Sequence, residues 1–345
     1  MNLVAKDVGQ QVQEVTARSL FVQEKKLVQP PKMQSQKVIL LAGPTACGKT
    51  TLSLMLAKAL KGEIISADSM QVYRGMDIGT AKVSQEERQQ IPHHLIDIRH
   101  VQESFNVVDF YYEAKKCCEA ILARNHVPIV VGGTGFYFRS LLYGPPEGPP
   151  PLPHLRRALE ENMEKEGGEA LYAKLKSFDP AYASSITHGD RHKIIRALEI
   201  VTLTGQKVSA FGQSRKEVKA NYKFCPWFLH RPREVLYKRI ERRCEEMLEM
   251  GLLDEVQDLE KQGIKNNRSA CNAIGYRQAL DYLHSSRGEE DYEEMVREFK
   301  TASRHYAKRQ FTWFRKEPLF RWLNVEVHDF EIAADMIIQD FLSTI

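Results

Sequence analysis

One segment of the chain combines glycines, a lysine and a threonine at a spacing that can bind phosphate. It fits the pattern G-x-x-x-x-G-K-[ST], and its members are Gly43, Pro44, Thr45, Ala46, Cys47, Gly48, Lys49 and Thr50. The glycines let backbone N–H groups turn toward phosphate oxygens, and the lysine adds a positive charge. A threonine hydroxyl at the last position can ligate Mg²⁺. We therefore predict a phosphate loop at residues 43–50, with Thr50 as a metal ligand.

The neighbouring residues supply the structural context that this motif requires. Residues 37–42 (KVILLA) form an apolar run typical of a buried strand, and residues 51–60 continue with a helical pattern. Further strands are predicted at residues 63–68, 94–98, 127–135 and 224–230. Short apolar strands that alternate with helices predict a doubly wound α/β fold with a parallel sheet.

A proline-rich segment divides the chain. Residues 144–153 (GPPEGPPPLP) contain too many prolines for a regular element. Beyond Pro232 the pattern predicts helices to the end of the chain. The predicted organisation is a mobile tail at residues 1–36, a phosphate-loop core at 37–150, a helical insertion at 151–216, and a last core strand with C-terminal helices at 217–345.

Composition excludes several classes of protein. The net charge of +4, from 49 basic and 45 acidic residues, is too small for a chain coated in positive charge, so a nucleic-acid surface must be a local patch. The six cysteines form no CxxC pair, which favours reduced thiols in the cytoplasm. No apolar run approaches the roughly 20 residues that span a bilayer, so we expect no membrane partner.

The phosphate loop alone favours an enzyme that hydrolyses ATP or GTP, or a small-molecule kinase. Against this, the strand that begins at Val127 ends in Gly132, Gly133 and Thr134, where an NTPase usually places an acidic residue for its metal. Asp97 remains a second candidate for that acidic residue. The residues by themselves leave this alternative open.

Seven segments, taken together, resemble the tRNA dimethylallyltransferases, also called tRNA isopentenyltransferases. They are GPTACGKT at 43–50, ISADSMQVYRGMDIGTAK at 65–82, HHLID at 93–97, VGGTGFY at 131–137, RALE at 196–199, GYRQ at 275–278 and AKRQFTWFR at 307–315. The resemblance implies a P-loop fold that binds dimethylallyl diphosphate and Mg²⁺. It also implies transfer of the dimethylallyl group to the N6 amine of adenosine 37, in the anticodon stem-loop of tRNA.

The resemblance also assigns roles to particular residues. An exocyclic adenine amine is a weak nucleophile, so a base must take its proton while the leaving pyrophosphate is stabilised. Asp68 matches the general base of the family, and Lys49, Thr50 and Arg233 match residues that bind the leaving group. Arg231 lies two residues from Arg233 and could take its place.

A further set of residues matches the tRNA contacts of the family. The target base must leave its stack, which is easiest in a single-stranded loop. A cationic helix with Arg304, Lys308 and Arg315 on one face could bind the backbone of that loop. The predicted contacts are Asp68, Ser69, Met70, Gln71, Thr134, Arg156, His192, Lys193, Ile194, Ile195, Arg196, Asn272, Arg277, Lys308, Arg309, Gln310 and Arg315.

Two further alternatives concern the acceptor. Relatives that prenylate free AMP, ADP or ATP tend to lack the full insertion and the C-terminal helices, and both segments are present here. A non-catalytic RNA-binding protein would leave Asp68 and Thr50 without a role. Eukaryotic members often carry a C-terminal zinc finger that this sequence lacks, so we expect a bacterial enzyme, acting as a monomer.

Overall fold

The computed structural model describes residues 36–211 and 222–343. Its centre is a six-stranded sheet in the order β3-β2-β4-β1-β5-β6, and every paired strand is parallel. The strands are β1 (Lys37–Ala42), β2 (Gly62–Ala67), β3 (His93–His94), β4 (Val127–Gly132), β5 (Lys223–His230) and β6 (Arg321–Asn324). The predicted α/β fold class is thereby confirmed.

The helices surround this sheet or follow it in the chain. They are α1 (Lys49–Leu60), α2 (Gln85–Gln90), α3 (Val107–Ala123), α4 (Gly135–Tyr143), α5 (Pro153–Phe178), α6 (Pro180–Ala183), α7 (Arg191–Thr204), α8 (Arg233–Glu249), α9 (Leu252–Lys261), α10 (Arg268–Cys271), α11 (Tyr276–Leu283), α12 (Glu289–Phe314) and α13 (Phe330–Ser343). Among the described residues, no helix is both long and apolar enough to cross a membrane.

The chain forms two compact units. Among the described residues, one unit contains the sheet and comprises residues 36–105, 113–135 and 222–343, and the other comprises residues 106–112 and 136–211. The second unit has its own apolar core, in which α5 and α7 contribute Leu171, Leu175 and Ile194.

The sheet brings three predicted site segments to one edge. Its central strand β1 is fully buried at Val38, Ile39, Leu40 and Leu41, because neighbouring elements cover both of its faces. The phosphate loop follows β1, Asp68 follows β2, and Gly133 and Thr134 follow β4. In parallel α/β sheets, ligands bind outside this carboxyl edge.

Two predictions about strands were wrong. The strand predicted at 94–98 ends at His94, because Leu95 and Asp97 adopt left-handed φ values of 62° and 58°, which an extended strand does not allow. The segment beyond Pro232 is not entirely helical, since β6 pairs with the outer edge of β5. Residues 1–35 of the predicted tail lie outside the described residues.

Candidate active site

The phosphate loop is shaped by its own backbone. Gly48 has a φ of 103°, which favours glycine, and a Cβ added to Gly43 would lie 2.7 Å from the Leu229 carbonyl oxygen. The Lys49 ammonium donates to the carbonyl oxygens of Gly43 (2.9 Å) and Pro44 (2.7 Å), and burial lowers its pKa. The loop therefore presents a desolvated cation beside backbone N–H groups, as an anion site requires.

Helix α8 adds cations that the sequence analysis did not select. Arg239 donates from Nε to the Ala46 carbonyl oxygen (2.9 Å), and Arg243 donates from Nη1 to Thr45 Oγ1 (3.2 Å). These arginines are four residues apart, so they lie on one face of the helix. The basic run KRIERR at residues 238–243 indicates a cationic helix face, but only the tertiary structure shows that this face contacts the loop.

The predicted leaving-group arginines lie elsewhere. Arg233 is exposed at the start of α8, with its guanidinium 5.0 Å from the centre of the Tyr237 ring, and it does not line the cavity at the phosphate loop. Arg231 donates from Nε to the Cys47 carbonyl oxygen (3.2 Å) and forms an ion pair with Glu326. Neither arginine is among the residues that line that cavity.

Two adjoining cavities meet at the carboxyl edge of the sheet. The donor cavity, about 770 Å³, contains the phosphate loop. The acceptor cavity, about 300 Å³, is lined by residues that include Ser69, Met70, Asn272 and Arg309. The lining residues that the two cavities share are Thr45, Asp68, Thr80, Arg243 and Tyr306. A group at this junction can act on two different substrates at once.

Asp68 is the only carboxylate at that junction among the described residues. Its Oδ1 accepts hydrogen bonds from the backbone N–H groups of Met70 (2.8 Å) and Gln71 (3.4 Å). Both of these bonds use Oδ1, so Oδ2 is the oxygen available to take a proton. The turn that follows β2 therefore holds the carboxylate in place through Oδ1 alone.

Two half-buried groups, Arg243 and Tyr306, line the junction with this carboxylate. Burial lowers the pKa of Arg243, and the Asp68 charge opposes that shift. Burial and the same carboxylate raise the pKa of Tyr306, so its hydroxyl remains protonated and able to donate a hydrogen bond. The junction thus combines an acceptor, a cation and a neutral donor.

Gln310 connects the phosphate loop to the turn after β4. Its Oε1 accepts from the Thr45 N–H (3.1 Å), and its Nε2 donates to the Gly133 carbonyl oxygen (3.0 Å). A Cβ on Gly133 would lie 2.1 Å from Nε2, so a larger residue there would displace the Gln310 amide. The Thr134 N–H donates to the Ala67 carbonyl oxygen (3.4 Å) and completes the connection to β2. Gln310, predicted as a tRNA contact, is buried and holds the loop in place.

The predicted contacts in the insertion fall into three groups. The side chains of Ile194 and Ile195 are 0% and 6% exposed, so they pack in an apolar core, and their assignment as RNA contacts stays a prediction. Arg156 and Arg196 pair with the buried Glu199 at 2.8 Å and 2.6 Å. The remaining two side chains, His192 and Lys193, are exposed.

The predicted contacts near the end of the chain are mostly accessible. Asn272, Arg277, Lys308, Arg309 and Arg315 are exposed. Arg309 lies over the Tyr306 ring at 5.6 Å, which places its guanidinium at the mouth of the acceptor cavity. The third residue of the predicted helical stripe, Arg304, instead pairs with Glu241 on α8.

Oxygen ligands for a metal are few. Thr50 is exposed on the donor cavity, as a phosphate-loop threonine must be to reach a metal. Asp97 is paired with Lys82 (2.6 Å) and Arg88 (2.6 Å). Burial would raise the pKa of Asp97, but these cations lower it. In the described part of the chain, no cluster of three or more His, Cys, Asp or Glu residues could hold a metal ion.

A parallel sheet with a phosphate-loop motif after β1, and a carboxylate on the wall shared by two cavities, defines an α/β protein of the doubly wound class with a candidate anion site. The sequence model of the family described as IPP transferase matches residues 71–317. The chain belongs to the IPP transferase family.

Relatives and solved structures agree with this assignment. A tRNA dimethylallyltransferase of Protochlamydia amoebophila is 56% identical over 318 residues, 92% of each chain. One from Chlamydia pneumoniae is 52% identical over 313 residues, 90% of this chain and 91% of that one.

Among structures, the full-length tRNA isopentenylpyrophosphate transferase of Bacillus halodurans is 39% identical with a TM-score of 0.64, covering 89% of this chain and 97% of that one. A eukaryotic dimethylallyltransferase acting on tRNA is 30% identical with a TM-score of 0.72, covering 90% of this chain and 80% of that one.

Proposed function

We propose that this chain transfers the dimethylallyl group of dimethylallyl diphosphate to the N6 amine of adenosine 37 in tRNA, giving N6-dimethylallyladenosine and pyrophosphate. The observation that carries the proposal is the position of Asp68 on the wall shared by the donor and acceptor cavities. The names of the relatives support the same reaction.

The donor cavity suits the diphosphate. Backbone N–H groups of residues 46–50 and the Lys49 ammonium offer hydrogen bonds and charge to its oxygens. Arg239 and Arg243 add fixed positive charge beside the loop, where negative charge grows as the leaving group departs. Arg233 is retained as a proposed contact of the diphosphate, although it is not among the residues that line this cavity.

The metal proposal rests on the same loop. The exposed Thr50 hydroxyl fits a magnesium ligand, and the other ligands would be oxygens of the diphosphate and water, as is common for this ion. When bound, Mg²⁺ would neutralise part of the charge on the leaving pyrophosphate.

The acceptor cavity suits a flipped base. In the transfer, the N6 lone pair forms a bond to C1 of the donor, and the C1–O bond breaks with its electron pair leaving on pyrophosphate. One N6 proton passes to Oδ2 of Asp68, whose other oxygen is held by Met70 and Gln71. Tyr306 remains protonated and can donate a hydrogen bond at the junction.

Cations around the acceptor cavity suit the RNA backbone. Lys308, Arg309 and Arg315 are exposed on or just after α12, and Arg277 is exposed on α11. Ser69, Met70 and Asn272 line the cavity itself and are proposed neighbours of the target base, together with Thr134. His192 and Lys193 are the accessible proposed contacts of the insertion. We propose that the enzyme acts as a cytoplasmic monomer.

One assay tests the proposal. The protein is incubated with Mg²⁺, labelled dimethylallyl diphosphate, and either unmodified tRNA or free AMP, ADP and ATP, while ATP hydrolysis is followed in parallel. We expect label in tRNA only. Label in a free nucleotide would indicate an adenylate isopentenyltransferase, and hydrolysis or phosphoryl transfer without label would indicate a P-loop NTPase or kinase. Absence of label from every acceptor would refute the transferase assignment.

A further inference from the structure

The donor cavity extends beyond the phosphate loop along the face of the sheet. Its wall on that side includes an apolar recess, formed by Ile64, Val83, Ile96 and Val131. Ile64 lies four residues before Asp68, a span of about 13 Å in extended chain. The recess therefore runs away from the junction, down strand β2.

Of the two strand residues in the recess, Ile64 is 3% exposed and Val131 is half-buried, so the sheet face is open at Val131. Val131 is the one residue of β4 that is not buried, although β4 lies inside the sheet and its other residues are covered. Val131 is paired in register with Ser66, which also lines the cavity and is 4% exposed. An apolar side chain left uncovered at a central strand indicates space that an apolar ligand could fill.

The chemistry of the recess favours hydrocarbon over charge. The charged residues that line the donor cavity within the described residues are Lys49, Asp68, Lys238, Arg239, Arg242, Arg243 and Glu246, which belong to the phosphate loop, to the turn after β2 and to α8. The recess side adds His93, whose Nδ1 donates to the Ile91 carbonyl oxygen (2.7 Å). Burial is the main cause that lowers the pKa of His93, so this imidazole stays neutral.

The geometry of transfer directs the carbon chain of the donor toward such a wall. In a displacement at C1, the attacking nitrogen and the leaving oxygen lie on opposite sides, so the remaining carbon chain extends in a third direction. The nitrogen comes from the acceptor cavity and the oxygen belongs to the phosphate loop. The recess is the apolar part of the donor cavity that remains.

On these grounds, and resting on the proposed function, we propose that the recess accepts allylic diphosphates longer than five carbons, so that the chain can also transfer a geranyl group to the same adenine amine. Bond changes are those of dimethylallyl transfer. N6 bonds to C1, pyrophosphate leaves with the C1–O electron pair, and the N6 proton passes to Asp68.

The test compares two donors and two substitutions that fill the recess. Unmodified tRNA is incubated with the full chain and either dimethylallyl or geranyl diphosphate, and nucleoside mass spectrometry identifies the added group. We expect both products from the unsubstituted protein. Val83→Phe and Ile96→Phe should each lower kcat/KM for the geranyl donor by about tenfold or more relative to the dimethylallyl donor, since small changes of pocket volume discriminate at this level.

A matched control separates steric filling from general damage. Val327→Phe makes the same change at a side chain that is 71% exposed and outside both cavities, so the ratio of the two donors should not change. The inference is overturned if geranyl diphosphate is not transferred while the dimethylallyl donor is, a result that needs no variant. An equal loss with both donors in the two filled variants would also overturn it. Failure of the dimethylallyl donor itself would refute the proposed function, and this inference with it.

Discussion

Replacement of Asp68 by asparagine separates its chemistry from its structural role. The side-chain oxygen of Asn can still accept from the Met70 N–H, which Oδ1 of Asp68 does at 2.8 Å. An amide cannot act as a base at neutral pH, so proton removal from N6 loses its acceptor. A positioned general base contributes about 100- to 10,000-fold to a rate, which corresponds to about 3–5 kcal/mol of activation free energy. We expect kcat to fall by that factor in Asp68→Asn.

Asp68→Ala adds a structural loss to the chemical one. It removes both backbone hydrogen bonds, but the second, to Gln71, is long at 3.4 Å. The additional loss of stability should therefore be near that of one ordinary hydrogen bond, about 1 kcal/mol. In both variants the half-buried Arg243 also loses the charge that opposes its desolvation, so some loss of stability is common to both.

The assay measures single-turnover transfer, tRNA affinity and the free energy of unfolding for both variants. Asp335→Asn, an exposed change on α13 away from both cavities, is the matched control and should leave all three unchanged. The reasoning is refuted if Asp68→Asn keeps single-turnover transfer within about threefold of the unsubstituted rate, because loss of a base would exceed that. It is also refuted if transfer falls only in proportion to tRNA affinity.

The remaining predictions concern the loop, the RNA surface and the insertion. Gln310→Leu leaves the Thr45 N–H and the Gly133 carbonyl without their partner, so the free energy of unfolding in urea should fall by about 2–4 kcal/mol, with weaker donor binding by titration. An unchanged unfolding midpoint would show that the two hydrogen bonds of Gln310 do not stabilise the fold. Lys308→Ala or Arg309→Ala should weaken tRNA binding and leave the rate with saturating tRNA unchanged. The slope of the logarithm of the binding constant against the logarithm of salt concentration should fall by about 0.7 for each phosphate that is no longer neutralised. An unaltered slope would show that the residue does not contact the tRNA backbone. Burial would raise the pKa of Glu199, but Arg196, the Leu152 N–H and Arg156 lower it below its ordinary value. The stabilising effect of the Glu199 charge is therefore present above the ordinary glutamate pKa and is lost as pH falls through the lowered pKa of the folded state. The unfolding free energies of the unsubstituted protein and Glu199→Gln should then converge on acidification. A difference that stays constant with pH would contradict this.

The amino-acid sequence was sufficient for features that depend on neighbouring residues. The phosphate loop could be predicted because its glycines, lysine and threonine act within eight consecutive residues between a strand and a helix. Parallel strands β1, β2, β4 and β5 were recognisable because burial on both faces requires continuous apolar runs. The position of Asp68 at the same edge as the loop followed from the same rule, since the parallel strands of one sheet all end at one edge.

The sequence was insufficient where a side chain's role depends on its distant neighbours. Ile194, Ile195, Arg156 and Arg196 lie in segments that match the family, but the structure packs the first two into the core and pairs the others with Glu199. Both outcomes depend on which helix face is covered. A short edge strand such as β6 likewise has little pattern of its own, because its partner β5 supplies the hydrogen bonds.

By itself, the sequence determined the anion-binding loop, the parallel sheet and the carboxylate at its edge, all of which follow from local pattern. Only the tertiary structure decided that Arg243 donates to a threonine 198 positions away, that Gln310 bonds to the same loop residue across 265 positions, and that Asp68 separates two cavities. The physical reason is that hydrogen bonds and shared cavity walls depend on distances in space. The packing of helices α8 and α12 in the sheet unit determines those distances, and no local sequence pattern predicts them.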